Sequence, residues 1–206
     1  SKETQGDTER IIGGWVEKSG RRDDVIIATK VSGEGYKNVR GGAPISPATI
    51  SIALENSLRS MKTDYVDLYQ LHWPNRGSYM FRKNWRYDPT TQDRTAILED
   101  MASILDCLEG YRRDGKIRHF GLSNESAWGT SQWLRLSEDR NLPRVASIQN
   151  EYSLLCRLFD TDLAELAHNE DVGLLSFSPL ACGLLTGKYS PDAAPPSGSR
   201  KSITED

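Results

Sequence analysis

The chain lacks any run of about 20 consecutive apolar residues, the length a membrane-spanning helix requires. Its opening, Ser1 to Arg10, is polar throughout and has no apolar stretch of the kind a secretory signal needs. Neither a membrane nor an export route is therefore expected. Cysteine is scarce: Cys107, Cys156 and Cys182 lie far apart, with no CxxC or Cys/His cluster. That excludes a disulfide framework and a zinc site as organising elements, and favours a reducing, cytoplasmic compartment. Charge of one sign is not in excess either. Lys and Arg number 26 against 29 Asp and Glu, and the net charge of −3 is scattered, which gives a nucleic acid no footing. No GxGxxG or Walker-type loop occurs, so a Rossmann or P-loop phosphate site has no support. What remains, 206 residues with 37% hydrophobic content, five Trp and eight Tyr, suits one globular domain covering residues 1–206.

Both ends read as cuts through a larger fold: Ser1 leads straight into a helix start, and Pro191 to Asp206 reads as a loop. Between them the periodicity alternates. A first helix is predicted from Thr8 into Lys18, with Ile11, Ile12 and Trp15 on one face and Gly20 as its stop. Val25 to Val31 (VIIATKV) predicts a strand buried on both faces that ends near a lysine. Ser46-Pro47 is a helix start, followed by Ile50, Ala53, Leu54, Leu58 and Met61 at helical spacing. Tyr65 to Trp73 predicts the second strand, and Asn75 to Gln92 a long aromatic loop above its end. Leu98, Met101, Leu105, Leu108 and Tyr111 mark the next helix. Ile117 to Leu122, Val145 to Gln149 and Val172 to Ser178 predict strands three to five, separated by helices over Ser131 to Glu138 and Asp160 to His168. Repeated βα units imply a parallel sheet. An open doubly wound sheet and a closed barrel both fit. A complete barrel of this kind typically takes about 250 residues, so five strands would be part of one.

Enzymes on parallel sheets place their sites at the carboxyl ends of the strands. Those ends carry Lys30, His72, Ser123-Asn124, Gln149-Asn150 and Phe177-Ser178. Lys30 is either a side chain snorkelling to water or a cation held near a site of low dielectric, able to shift a neighbour's pKa. His72 shares its strand face with Gln70 and Leu68. It is either a satisfied structural histidine or a neutral donor to a substrate oxygen. Ser123, Asn124 and Gln149 can cap strand ends or hold a carboxamide. Phe177 can be core or a flat wall for a planar ring. His119 and His168 have no such setting.

Several segments together resemble the aldo-keto reductases: Ser46 to Trp73 (SPATISIALENSLRSMKTDYVDLYQLHW) with Pro74, Gly115 to Asn124 (GKIRHFGLSN), Ser147 to Asn150 (SIQN), and Ser176 to Lys188 (SFSPLACGLLTGK). The resemblance runs from Thr8 to about Lys188. It implies an α/β fold, the (β/α)8 TIM barrel, with about five of its eight strands in this chain. It also implies NADP(H) as cofactor and reduction of a small-molecule aldehyde or ketone. Lys30 and His72 would be catalytic, the lysine lowering the pKa of a proton-donating tyrosine and the histidine orienting the carbonyl. Ser123, Asn124 and Gln149 would hold the nicotinamide carboxamide, and Phe177 would stack on its ring. Ser178, Pro179, Leu180, Ala181, Cys182, Lys188 and Arg200 would follow the pyrophosphate and ribose, with Cys182 a packing residue. The family's tyrosine and its aspartate are expected upstream of the position of Thr4 to Glu9, and Tyr36, Tyr65 and Tyr69 do not replace them. Other readings are a cofactor-binding regulatory subunit similar to potassium-channel β subunits, or a silent scaffold. The histidine at 72, where those subunits typically carry Asn, favours the reductase. The long Asn75 to Gln92 loop is expected to tune specificity, with Tyr79, Trp85 and Tyr87 either an aromatic lid or part of a solvated surface loop.

Overall fold

Helical and strand periodicities resolve, in a computed structural model that describes residues 4–203, into a strict alternation. The elements are α1 (Asp7–Ser19), β1 (Ala28–Val31), α2 (Pro47–Met61), β2 (Val66–Leu71), α3 (Arg94–Arg113), β3 (Ile117–Ser123), α4 (Ala127–Asp139), β4 (Val145–Gln149), α5 (Leu163–Asn169), β5 (Gly173–Leu174) and a single turn, α6 (Arg200–Ile203). The stretch from Pro191, expected to be loop, therefore contains that turn, and its last residues lie outside those described.

Local chemistry sets the helix ends. Ser46 caps α2 through a reciprocal pair with Thr49, and Pro47 occupies the first turn, where its missing N–H costs nothing. Asp93 accepts from the N–H groups of Thr95 and Ala96 to start α3. α4 begins at Ala127, four residues earlier than expected, because the Ser126 hydroxyl accepts from Gly129 N–H. Gly20 ends α1 in the left-handed region, donating to the Val16 carbonyl. The face that α1 buries differs from the expected one. Gly13 and Val16 turn inward, whereas Ile11 and Trp15 stay exposed at 73% and 43%. Gly13 decides this. A Cβ there would sit 2.2 Å from the Ser60 carbonyl oxygen, so α1 and α2 cross in near backbone contact.

All four strand pairings are parallel, and the order across the sheet is β1-β2-β3-β4-β5. The strands never reverse direction of addition. With right-handed crossovers, every helix then falls on one face. This is the winding of a (β/α)8 barrel rather than of a doubly wound sheet, which settles the alternative the sequence left open.

The two faces have opposite chemistry. Towards the helices point Val31, Leu71, Leu122 and Ile148, paired in one row, and Tyr69 and Phe120 in the row beneath, all buried. Burying such side chains stabilises by about 1.5–3 kcal/mol each. The other face carries Lys30, Gln70, Ser123, Ser147 and Gln149. β1 is thus not buried on both faces as its composition suggested: Ala28 is exposed and Ile26, just before it, is 84% exposed. β1 starts at Ala28 because the preceding backbone is claimed by side chains. Arg22 donates to the Val25 carbonyl at 3.0 Å, and Ile27 N–H donates to Asp67 at 2.9 Å. β5 shrinks to Gly173–Leu174 and continues as separate bonds, Leu175 N–H to Ile148 O at 2.9 Å and Phe177 N–H to Asn150 O at 3.1 Å.

Candidate active site

At the carboxyl rim of the polar face, Lys30 and His72 come from adjacent strands. Lys30 pairs with Gln70, and His72 N–H donates to the Val31 carbonyl at 3.0 Å, so lysine and imidazole stand side by side on one face. Their charges are coupled. Burial, and secondarily the Lys30 ammonium, push the His72 pKa down to about 4 from 6.5. Burial likewise lowers the Lys30 pKa, and the ammonium forms no ion pair among the described residues. At neutral pH the imidazole is therefore uncharged, a hydrogen-bond partner rather than a strong acid.

Two strands further on, a small network fixes the rim. Asn124 takes a left-handed backbone (φ 53°), which asparagine tolerates better than most residues. From there its Nδ2 donates to the His72 carbonyl at 2.9 Å and to Ser123 Oγ at 3.1 Å. Ser123 Oγ donates to the Gln149 carbonyl at 2.8 Å, and Asn124 N–H donates to the same oxygen at 3.0 Å. The ends of β2, β3 and β4 are thus tied together through residues 72, 123, 124 and 149. Asn124 Oδ1 is buried and lacks a partner, an idle acceptor in an otherwise satisfied cluster. Asn150, beside Gln149, serves structure: it exchanges two hydrogen bonds with the Glu125 backbone.

Beyond Phe177, which is half-buried and bridged to Glu151, the backbone takes an unusual path. Ser178, Ala181, Cys182 and Gly183 all have positive φ, at 53°, 47°, 55° and 99°. Leu180 (φ −97°, ψ 21°) followed by Ala181 gives the right-then-left alternation that can cradle an anion with main-chain N–H groups. Pro179 sets the start of this turn, and Cys182 Sγ and Ser178 Oγ share a hydrogen bond of 3.6 Å within it. Lys188 folds back on the turn; its Nζ would lie 3.2 Å from a Cβ on Gly183. Arg200 lies on α6 with its side chain exposed. α6 is joined to the turn through Lys201 N–H, which donates to Tyr189 Oη at 3.3 Å.

Other parts of the rim escaped sequence reasoning. Trp73 packs against His72 with ring centroids 4.6 Å apart, meets Phe81 edge-on at 6.0 Å, and donates to the Glu34 carbonyl at 3.0 Å. Gly33 makes this possible, because a Cβ there would come within 2.4 Å of the indole. Trp73, Phe81, Tyr36 and Lys83 line a cleft of about 600 Å³ between the two loops. Of the two readings of the long loop, the structure favours the solvated one over the lid. Trp85 is 92% exposed, as in the solvated-loop alternative, whereas Tyr79 meets Tyr87 edge-on and packs against the core. Beneath the loop, Arg76 and Glu125 form a buried bidentate ion pair, braced by Ser126 Oγ. Residues 49 positions apart carry no sequence signal of pairing. Gly129, whose missing side chain leaves room for that pair, was the one readable hint.

A singly wound parallel sheet with polar groups gathered at the carboxyl ends of its strands defines the class, a (β/α)-barrel architecture of the kind that carries enzyme sites. The chain belongs to the aldo/keto reductase family, whose sequence profile matches residues 4–205. It is 44% identical over 207 residues to Protein tas of Escherichia coli (strain K12), covering 98% of this chain and 58% of that protein. It is 37% identical over 175 residues to an aldo-keto reductase of Babesia bovis, covering 80% and 61%. With aldo-keto reductase YhdN of Bacillus subtilis (strain 168) it shares 31% identity over 185 residues, covering 90% and 47%. The chain thus spans between 47% and 61% of the length of these relatives.

Proposed function

We propose that the whole protein is an NADPH-dependent reductase of aldehydes or ketones. The observation that carries this reading is the convergence of Lys30 and His72 on one rim, next to the Ser123–Asn124–Gln149 network. The residues present fit a nicotinamide dinucleotide. Asn124 Oδ1 is an idle buried acceptor suited to a carboxamide N–H, Phe177 offers a half-buried ring, and the turn from Ser178 to Gly183 suits a pyrophosphate. Lys188 would add a cation at that turn, with Arg200 further along. When bound, NADPH would supply the hydride, and a proton-donating tyrosine of the whole protein, its pKa lowered by Lys30, would supply the proton that completes the alcohol.

The chain's own residues would then do the following. His72, held neutral by burial, would donate an N–H to the carbonyl oxygen and fix its direction. Lys30 would place positive charge where negative charge develops on that oxygen, in a half-buried setting where Coulombic effects exceed those in water. The strand-end network would hold the imidazole still through the backbone carbonyl of His72. Three cysteines without a disulfide accord with a cytoplasmic setting as part of the same reading.

The test uses the full-length protein, NADPH and a small aromatic aldehyde. We expect saturable quenching of tryptophan fluorescence by NADPH and aldehyde-dependent oxidation of the cofactor. Unchanged emission at saturating NADPH, together with no turnover, would sink the reading. His72→Ala is expected to lower kcat by about 100-fold, with cofactor affinity changed far less. Equal losses in both would make His72 a structural residue.

A further inference from the structure

The most deeply buried ion pair among the described residues has no part in the chemistry so far assigned. The side chains of Arg76 and Glu125 are only 5% and 2% exposed. They meet through two parallel hydrogen bonds, Arg76 Nη1 to Glu125 Oε2 at 3.0 Å and Nη2 to Oε1. The start of α4 is shaped around them. Ser126 Oγ accepts from Arg76 Nη2 at 3.2 Å, and the Trp128 ring lies 5.1 Å from the guanidinium carbon. At Gly129 a Cβ would come within 2.1 Å of Arg76 Nη2 and 2.2 Å of Glu125 Oε1.

Taking two charges out of water is costly, and apolar residues of similar volume often replace such a pair without loss of stability. What a bidentate pair adds is direction, because two parallel bonds fix both the distance and the plane of approach. Both partners adjoin the rim. Arg76 follows His72 by four residues, and Glu125 follows Asn124 directly. The strap from His72 to Arg76 is held along its length. Trp73 donates to the Glu34 carbonyl at 3.0 Å, and Asn75 exchanges two bonds of 2.8 Å with the Ile45 backbone and donates to Asp100 at 2.9 Å. Glu125 is gripped by its own backbone as well: its N–H donates to Asn150 Oδ1 at 3.2 Å, and its carbonyl accepts from Asn150 Nδ2 at 3.0 Å. The circuit closes at Asn124, whose Nδ2 donates to the His72 carbonyl at 2.9 Å.

We propose that Arg76 and Glu125 are positioning residues. Their pair closes a ring, through residues 72–76 and 124–125, that sets the direction of the Asn124 carboxamide and the height of the His72 backbone. With the ring open, the end of β3 and the strap after β2 move independently, and the bond from Asn124 to the His72 carbonyl opens more often. Asn124 then offers its Oδ1 to a nicotinamide carboxamide in many directions instead of one. The inference deepens the reductase reading and rests on it for the effect on cofactor and turnover, but the ring itself is a property of this chain.

The test compares the full-length wild type with the double variant Arg76→Met/Glu125→Leu, which removes both charges and leaves neither unpaired. Three quantities are read: the urea midpoint, the solvent exchange of the Asn124 side-chain amide protons by NMR in the cofactor-free protein, and the Kd for NADPH together with kcat. The midpoint of the double variant should stay close to that of the wild type. Its Asn124 amide protons should exchange about tenfold faster, with Kd and kcat each about tenfold poorer. Arg76→Lys keeps the charge but cannot form two parallel bonds, and should show the same changes at smaller size. It carries the test if the double variant does not fold. Wild-type exchange and wild-type Kd in a folded variant overturn the proposal, and a lowered midpoint with both unchanged does so too, by making the pair a structural one. If the wild type neither binds NADPH nor turns over the aldehyde while exchange still separates the variants, the reductase reading falls and the ring stands.

Discussion

A neutral imidazole at residue 72 has a measurable stability signature. Its folded pKa of about 4 lies below the ordinary 6.5, so protons bind the unfolded chain more tightly. The contribution is complete above pH 6.5, erodes as the pH falls towards 4, and is level below that. His72→Gln removes this titration. We expect urea midpoints of the variant to fall less than those of the wild type between pH 7 and 5, and parallel curves would show the imidazole to be freely protonated in the fold. Reading the residues alone located Lys30 and His72 at strand ends, Lys30 because an apolar run stops there and His72 because it shares a strand face with Gln70 and Leu68. It did not find Gly33 or Glu34. A glycine is silent until one sees the Trp73 ring lying on it, and Glu34 takes part through its backbone carbonyl, which every residue possesses.

Elements were legible where a local rule fixed them. The Ser46-Pro47 start of α2 follows from capping chemistry, and Ser46→Ala should cost about 1 kcal/mol in chemical denaturation. The face of α1 was misread because its contact is made by an absence. Ile11 and Trp15 look like a buried pair, but Gly13 permits the closest approach to α2 and rotates them outward. Gly13→Ala should therefore destabilise by about 1–3 kcal/mol although alanine is the better helix former, whereas Ile11→Gln should change little. A stabilised Gly13→Ala variant would mean that the two helices are not in backbone contact. β5 was overcalled for a related reason. Apolar β-branched composition announces a strand, yet its length depends on how many bonds its neighbour β4 returns.

The whole molecule divides its labour between the two ends of the sheet. At the amino end, opposite the rim, Asp67 accepts from Ile27 N–H at 2.9 Å, Arg22 at 2.8 Å and Arg118 at 2.7 Å, tying β1, β2 and β3 together. Burial would raise its pKa, but these three donors outweigh that and hold the carboxyl below its usual range. Its stabilisation is thus present above the unfolded pKa of 3.8 and is lost as the pH drops through the lower folded value. Asp67→Asn should cost about 3 kcal/mol by breaking a largely buried pair and, under the proposed reading, leave the affinity of the whole protein for NADPH unchanged. A parallel loss of affinity would contradict the separation of ends. The parallel α/β class was readable from alternating periodicity, whereas the choice of barrel over doubly wound sheet came from the family resemblance and not from periodicity. Physically it depends on which strands sit side by side, and the observed order β1 to β5 bears the barrel out.

The Arg76–Glu125 clamp has a further consequence. Gln92 Nε2 donates to the Arg76 carbonyl at 3.2 Å, so the segment from Gly77 to Thr91 leaves and returns at one anchored knot. That noose hangs from a point already fixed to β3 and comes back to the rim through Phe81, which meets Trp73 edge-on beside His72. Under the proposed reading, the exposed positions of that noose could be exchanged to change which molecules are admitted, provided Tyr79, Met80 and Phe81 keep their inward contacts.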